Sequence, residues 1–305
     1  MRRSITRAFV ILAAGAAAGA MLTAGAAEAA ERKVLGENFM RMGCSYCPSV
    51  GRAMAQLLED FPDSIVGYQV HTTDSYATGW GTQRAQFYGI TSVPTVYMDG
   101  VVKKVGSSGT DAANYAALKN LMNYRLGVPT DISIELGGEQ VGTQSFTFTA
   151  RVTMDADGTA RTVRVIFVHT LADYPYSSDD RYFNCVRQGS YGDDVYLEPG
   201  TSAYADHTFT FYSTDWSLKE DLRIFAFVQT ALTSKEIANA EMISWPFPPP
   251  PTEMPEDING DGVVDVLDLL ALLGAWGECP ECPEDVTGDG VVDVLDLLAV
   301  LGAWS

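Results

Sequence analysis

Two cysteines three residues apart, with a proline directly after the second, stand in Met42-Gly43-Cys44-Ser45-Tyr46-Cys47-Pro48-Ser49. Thiols at this spacing can close a reversible disulfide, hold one side of a metal ion, or form a fixed structural staple. Near the C-terminus the chemistry is that of oxygen. Residues 257–268 read D-x-N-x-D-G-x-x-D-x-x-D, and residues 285–296 read D-x-T-x-D-G-x-x-D-x-x-D. Short oxygen-bearing side chains at alternate positions, with a glycine at the sixth, are what a calcium loop requires, because the ion takes many oxygens and the chain must turn sharply between them. The first loop offers Asp257, Asn259, Asp261, the Val263 carbonyl, Asp265 through water, and Asp268. The second offers Asp285, Thr287, Asp289, the Val291 carbonyl, Asp293 and Asp296. Gly262 and Gly290 permit the turns. Two Ca2+ ions are expected, the second held less tightly because Thr287 is a weaker ligand than Asn259.

Charge follows the same division. The chain has 39 acidic and 20 basic residues, a formal net charge of -19, and thirteen of the acids follow residue 252, where no Lys or Arg occurs. Carboxylates crowded in this way repel one another unless a hard cation neutralises them. So acidic a chain makes nucleic acid an unsuitable partner.

The elements that must position these residues lie behind a leader. Arg2, Arg3 and Arg7 precede an apolar Ala/Gly/Leu run ending in Ala27-Glu28-Ala29, which predicts a secretory signal peptide over 1–29 and a secreted, periplasmic or cell-surface protein. No later run is long and apolar enough to predict a membrane span. In an oxidising compartment cysteine pairs persist as disulfides. Four of the five cysteines fall in the pairs Cys44/Cys47 and Cys279/Cys282, leaving Cys185 as a free thiol or an intermolecular partner. The 305 residues can supply two or three cores. Six prolines within 245–257 predict an extended spacer over 247–256, and a softer boundary falls at Gly127-Val128-Pro129. The expected bodies are therefore 30–128, 129–246 and 257–305.

The first body alternates strand and helix patterns. "KVLGENFM" reads as a strand, and from Cys47 the residues Val50, Met54, Leu57, Leu58 and Phe61 recur at helical spacing, with Pro48 in the first turn. The cysteine pair thus opens a helix. Further strands are expected at "SIVGYQVHT", "VPTVYMDG" and "VVKKVG", and helices at "GTQRAQFYGI" and "DAANYAALKNLMNYRLG". Cys44-Ser45-Tyr46-Cys47-Pro48 together with "YGITSVPTVYMDG" at 88–100 resembles the thioredoxin superfamily over about residues 31–128. The resemblance implies that Cys44 is the exposed nucleophile, Cys47 the buried resolving thiol, and Pro94 a cis residue shaping the substrate groove. Amide groups at a helix start favour a thiolate, in agreement with that role. The pattern departs where the family's buried acid, six residues before the first cysteine, is Asn38, while Glu37 should face the opposite side of its strand. Met40 and Met42 beside two thiols could hold copper(I), but His71, His169 and His207 lack ligand spacing to the pair.

The second body is rich in period-two runs: "DISIEL", "SFTFTARVTM", "RTVRVIFVHT", "HTFTFYS", "LRIFAFVQTA" and "EMISW". They predict an all-β Ig-like sandwich, and the closing segment "FVQTALTSKEIANAEMISW" is similar to envelope proteins that pair a thioredoxin-like domain with an Ig-like one. Cys185 falls in a Tyr-rich insertion expected to be a surface loop or an edge strand. In the third body, "DGVVDVLDLLALLGAW" at 261–276 returns at 289–304 with only Leu272 changed to Val300. A proline-rich entry leaves no room for an incoming helix, so each loop is half an EF-hand followed by an exit helix, and each apolar helix is expected to be covered by the other. Loop plus exit helix, twice, resembles a small α type I dockerin over 257–305. That resemblance implies a cohesin-like partner, although Val266-Leu267 and Val294-Leu295 are apolar where partner-reading hydroxyls are usual. A local Cys279–Cys282 disulfide is favoured over zinc.

The expected protein is multidomain: an α/β thioredoxin-like domain, an all-β Ig-like sandwich and paired half EF-hands. Its expected function is exported thiol–disulfide exchange on protein or small disulfides, tethered through a calcium-binding tail. The competing class is a non-catalytic surface adaptor. Polysaccharide cleavage is less well supported, since no carboxylate pair can be assigned by spacing.

Overall fold

The computed structural model describes residues 30–174, 183–230, 234–251, 254–259, 263–279 and 282–304. The leader, and Asp261 and Gly262 of the first acidic loop, lie outside the described residues.

Strand β1, Val34–Met40, is buried at all seven positions. It pairs in parallel with β2, Ile65–His71, through helix α1, Cys47–Asp60, and antiparallel with β3, Thr95–Met98. Helix α1 turns Cys47, Val50, Met54 and Leu57 inward. It lies so close to β1 that a Cβ on Gly36 would overlap the Met54 side chain. Helix α2, Gly79–Tyr88, starts at Thr78, whose hydroxyl accepts the Gly81 N–H, and ends at Gly89 in the left-handed region at φ +67°. Strand β4, Val102–Val105, completes a hairpin with β3, and helix α3, Asp111–Leu126, packs beside α1.

The strand-rich region supplies β5, Ile132–Gln140; β6, Ser145–Met154; β7, Arg161–Leu171; β8, Cys185–Gly189; β9, Asp193–Leu197; and β10, Ser202–Thr210. A short helix α4, Ser213–Trp216, then leads to β11, Leu222–Thr230, and β12, Ile237–Ser244. One sheet has the order β10-β6-β5. It faces β7, β11 and β12 across a core that includes Ile132, Phe148, Phe167, Leu222 and Val228.

The division expected near residue 128 does not interrupt the hydrogen bonding. A single sheet runs β12-β11-β7-β8-β2-β1-β3-β4, with β9 also on β7. The junction is β8, which pairs in parallel with β2 at Cys185 and Gln69, where the Gln69 N–H donates to the Asn184 carbonyl at 3.1 Å. Leu35, Phe39 and Tyr68 from the first region share a core with Ile166, Phe225 and Phe227 from the second. Cys185 is therefore in neither a surface loop nor an edge strand, and at 1 % exposure it is closed to another molecule. The proline stretch also differs from a free spacer. Phe247 stacks edge-on against Phe148 with ring centroids 4.9 Å apart, the Pro248 carbonyl accepts the Gly138 N–H at 2.9 Å, and a Cβ on Gly137 would overlap Pro249. Aromatic burial thus lays the proline stretch against the sandwich.

The tail holds α5, Val266–Gly274, a two-residue ladder of β13, Gly277–Glu278, with β14, Val291–Val292, and α6, Val294–Gly302. Val264, Leu272, Val292 and Val300 form its buried centre. Mutual cover is only partial: Leu270 and Leu298 each remain 59 % exposed, because two short helices shield one side of each other and, among the described residues, no third element covers the rest.

Candidate active site

Cys47 is the first residue of α1 and Pro48 the second, where a missing N–H costs the helix nothing. Cys44 and Cys47 are joined as a disulfide with Cα atoms 5.4 Å apart. Cys47 is buried at 1 % exposure, whereas Cys44 is half-buried and reaches solvent. The Cys44 sulfur lies 3.8 Å from the Val93 carbonyl oxygen, directly before the cis Val93–Pro94 peptide. Structure thus brings together the three residues singled out in the first body, Cys44, Cys47 and Pro94. No acidic side chain occupies the first turn of α1, whose amides favour a thiolate.

Beneath this site, β1 alternates. Gly36 and Met40 contact the α1 side, while Leu35 and Phe39 belong to the opposite core. Asn38 therefore faces α1, and both its amide oxygen and nitrogen are buried without a hydrogen-bond partner. Glu37 faces away. Its carboxylate accepts from Arg84 at 2.8 and 3.1 Å, from the Tyr68 hydroxyl at 2.7 Å and from the Tyr88 hydroxyl at 2.6 Å. Burial, reinforced by the Glu37 charge, pushes both tyrosine pKa values well up, so these hydroxyls remain donors. Glu37 is a structural ion-pair partner and takes no part at the disulfide.

Sequence reasoning missed a cluster on the other side of the disulfide. Met40, Cys47 and Cys185 pack as one group, with Cys44, Val93 and Tyr174 against it. The Cys185 sulfur is 3.5 Å from His71 Nε2 and 3.6 Å from Gln69 Oε1. His71 Nδ1 is 2.6 Å from Asp74 Oδ2, which also accepts the Met42 N–H at 2.6 Å. Asp74 Oδ1 accepts the Tyr76 N–H at 2.8 Å. Burial works against the Asp74 carboxylate, but the His71 ring and the two amides outweigh it and hold its pKa below the ordinary range. Burial pushes the Cys185 thiol up, opposed in lesser measure by the Arg187 charge. The one local signal was His71-x-x-Asp74 at a strand end; its cysteine is 114 residues away in sequence.

In the tail, Asp265 and Asp293 cap their helices in reciprocal capping boxes with Asp268 and Asp296. Asp268 accepts the N–H groups of Asn259 at 3.0 Å and Asp265 at 2.8 Å. Asp296 accepts those of Thr287 at 2.9 Å and Asp293 at 2.8 Å, and the Thr287 hydroxyl at 2.9 Å. Asp285 accepts from Asp289 and Gly290 at 3.1 and 2.7 Å, and Asp289 accepts the Val291 N–H at 3.0 Å. The carboxylates are turned into their own loops, yet among the described residues no three of them converge within 4.8 Å. Asp257 also lies 3.5 Å from Arg151 on β6. Cys279 and Cys282 are bonded to each other, with Glu284 beside them.

No family model matches this chain. It is 28 % identical over 89 residues to a thioredoxin of Methanocaldococcus jannaschii, a match covering 98 % of that protein and 29 % of this chain. Among solved structures, HBP35 of Porphyromonas gingivalis superposes with a TM-score of 0.57 at 19 % identity, over 72 % of this chain and 77 % of that one. A protein of Agrobacterium tumefaciens gives 0.49 at 16 % identity, over 70 % and 95 %. Over part of its length the chain is similar to a thioredoxin, and it carries a CxxC pair and further β-sheet structure. No helix among the described residues is long and apolar enough to cross a membrane.

Proposed function

We propose that this is an exported thiol–disulfide oxidoreductase, with Cys44 as the attacking and Cys47 as the resolving sulfur. The observation that carries the reading is the asymmetric disulfide at the start of α1, one sulfur reaching solvent beside the carbonyl before cis-Pro94 and the other sealed below it. In the reduced protein the Cys44 thiolate attacks one sulfur of a substrate disulfide, and the other leaves as a thiolate. The Cys47 thiol then gives up its proton and attacks Cys44, closing the observed disulfide and releasing the second substrate sulfur. Substrate is reduced by two electrons, the cysteine pair is oxidised by two, and the reverse sequence oxidises a dithiol. Pro94 borders the groove in which a polypeptide disulfide would lie.

In the same reading, residues 129–246 are an Ig-like sandwich continuous with the redox region. Residues 257–305 form a dockerin-like tail that binds two Ca2+ through Asp257, Asn259, Asp261, Val263, Asp265 and Asp268, and through Asp285, Thr287, Asp289, Val291, Asp293 and Asp296. Hard oxygen donors in register and carboxylates turned into their loops support calcium. The exposed apolar faces of α5 and α6 support docking to a cohesin-like partner. The leader sequence supports export.

Insulin reduction in the presence of dithiothreitol tests the redox assignment. The parent should accelerate precipitation of the B chain, and Cys44→Ser should fall to the uncatalysed rate. Equal rates for the two would leave a non-catalytic adaptor, the reading that the unpartnered Asn38 in place of a buried acid favours.

A further inference from the structure

The proposed two-cysteine reaction makes no use of Cys185, His71 or Asp74, yet these three form the most chemically specific cluster next to the disulfide. Because Asp74 is held as an acceptor, the 2.6 Å contact requires His71 Nδ1 to donate. In the neutral ring that donor at Nδ1 leaves the lone pair on Nε2, the atom 3.5 Å from the Cys185 sulfur. Asp74 also holds the Met42 N–H, so the same carboxylate fixes the loop that enters Cys44. Cys185 rests as a protonated thiol because charge is costly at a site with 1 % exposure. A buried thiol with no base beside it is inert; here a base is oriented on it and a disulfide shares its packing cluster.

We infer that Cys185 is a third exchanging thiol, activated by His71 and oriented by Asp74, which transfers the active-site disulfide from Cys44–Cys47 to Cys47–Cys185. In this step the Cys185 proton passes to His71 Nε2 as the Cys185 sulfur attacks the Cys47 sulfur. The Cys44–Cys47 bond breaks, and its electron pair leaves on Cys44 as a thiolate. One disulfide is lost and one is formed, so no external oxidant or reductant is needed. The imidazolium produced is paired with Asp74. The outcome is an oxidised protein that exposes a free attacking sulfur at Cys44, which a two-cysteine site has only when reduced. Such a state can capture a substrate disulfide and return it rearranged, which is the chemistry of disulfide isomerisation.

This inference deepens the oxidoreductase reading and rests on it, and peptide mapping separates the two. Oxidised native protein, freed of reductant, is held with N-ethylmaleimide and then digested without reduction for mass spectrometry. Label should accumulate on Cys44 together with a peptide cross-linking Cys47 to Cys185. Cys185→Ser should stop the labelling, and His71→Gln should slow it at least about tenfold, since an amide cannot take the proton. In a second arm, Cys44→Ser protein is oxidised with diamide. With near-ultraviolet circular dichroism matching the parent, it should form the Cys47–Cys185 disulfide. Failure to form that bond in the folded variant overturns the inference, as does labelling of Cys44 that is unaffected by Cys185→Ser. If Cys185→Ser does not fold, the diamide arm decides alone. Transfer of the disulfide without insulin turnover would overturn the oxidoreductase reading instead, whereas turnover with Cys185 always a thiol would overturn only the third-thiol assignment.

Discussion

Asn38 lies on the α1 side of β1, fully buried, with both polar atoms of its amide unpartnered. Replacing it by aspartate should trade stability for turnover, with a dependence on pH that follows from its surroundings. A carboxyl at a dry, unpaired site has its pKa lifted by about three, from roughly 3.9 when unfolded to near 7 when folded. A carboxyl raised on folding costs nothing below the unfolded pKa. Above it, the cost grows by about 1.4 kcal/mol per pH unit, levelling off once pH passes the folded pKa. Asn38→Asp should therefore lose about 1.5 kcal/mol at pH 5 and about 4 kcal/mol at pH 8. Urea unfolding at both values reads this directly, with the slope checked for constancy. The same carboxylate, on the face that carries Met40 into the Cys47 cluster, supplies a proton acceptor for the resolving thiol, and insulin turnover should rise about tenfold or more. Equal destabilisation at pH 5 and pH 8, or none at either, would refute the placement of Asn38 in a sealed pocket. Unchanged turnover in a folded variant would refute its connection to Cys47.

Other expectations follow from charges elsewhere. Arg84→Met leaves Glu37 buried without its bidentate partner and should cost about 3–5 kcal/mol in urea unfolding, much of it recovered by a further Glu37→Leu; a loss below about 1 kcal/mol would count against the pair. Burial lowers the His169 pKa to about 3, and neither ring nitrogen has a partner. Since the unfolded chain binds that proton more readily, His169 subtracts stability as pH falls below about 6.5; between pH 6.5 and pH 5 the loss should be about 2 kcal/mol, and His169→Phe should lack it. Calorimetric titration of the intact chain should find two calcium equivalents, reduced to one by Asp285→Asn with Asp296→Asn. Calcium at a hundredfold excess over its dissociation constant should stabilise the tail by about 2.7 kcal/mol per site, and an absence of heat would remove the metal from the proposal.

Local chemistry was legible in the chain, and distant pairing was not. Cys47-Pro48 opening an amphipathic helix, and Pro94 beside the cysteine pair, could be read because each signal is contained within a few residues of a resembling motif. The Cys279–Cys282 bond was legible for the same reason. The place of β8 was not, because a five-residue strand joined to β2 at one register position leaves no periodic mark. His71 carries no sign of its cysteine, since the partner arrives through a strand that lies far along the chain. The proline stretch misled in a different way: composition reports backbone preference, but Phe247 and the two glycines of β5 decide where that backbone rests. Apolar residues on all sides of α5 and α6 pointed to mutual burial, whereas two helices of nine residues have too little surface to cover each other.

The strand β8 also bears on how this molecule can be cut. A fragment ending at residue 128 would keep Cys44, Cys47 and Pro94 but strip β2 of its neighbour β8 and uncover Leu35, Phe39, Tyr68 and Trp80, which Ile166, Val168, Phe225 and Phe227 now shield. Bare amides beside a greasy surface are a template for self-association. An isolated N-terminal fragment should therefore precipitate or pair with itself, so that sluggish chemistry from such a piece would describe the truncation and not the intact chain.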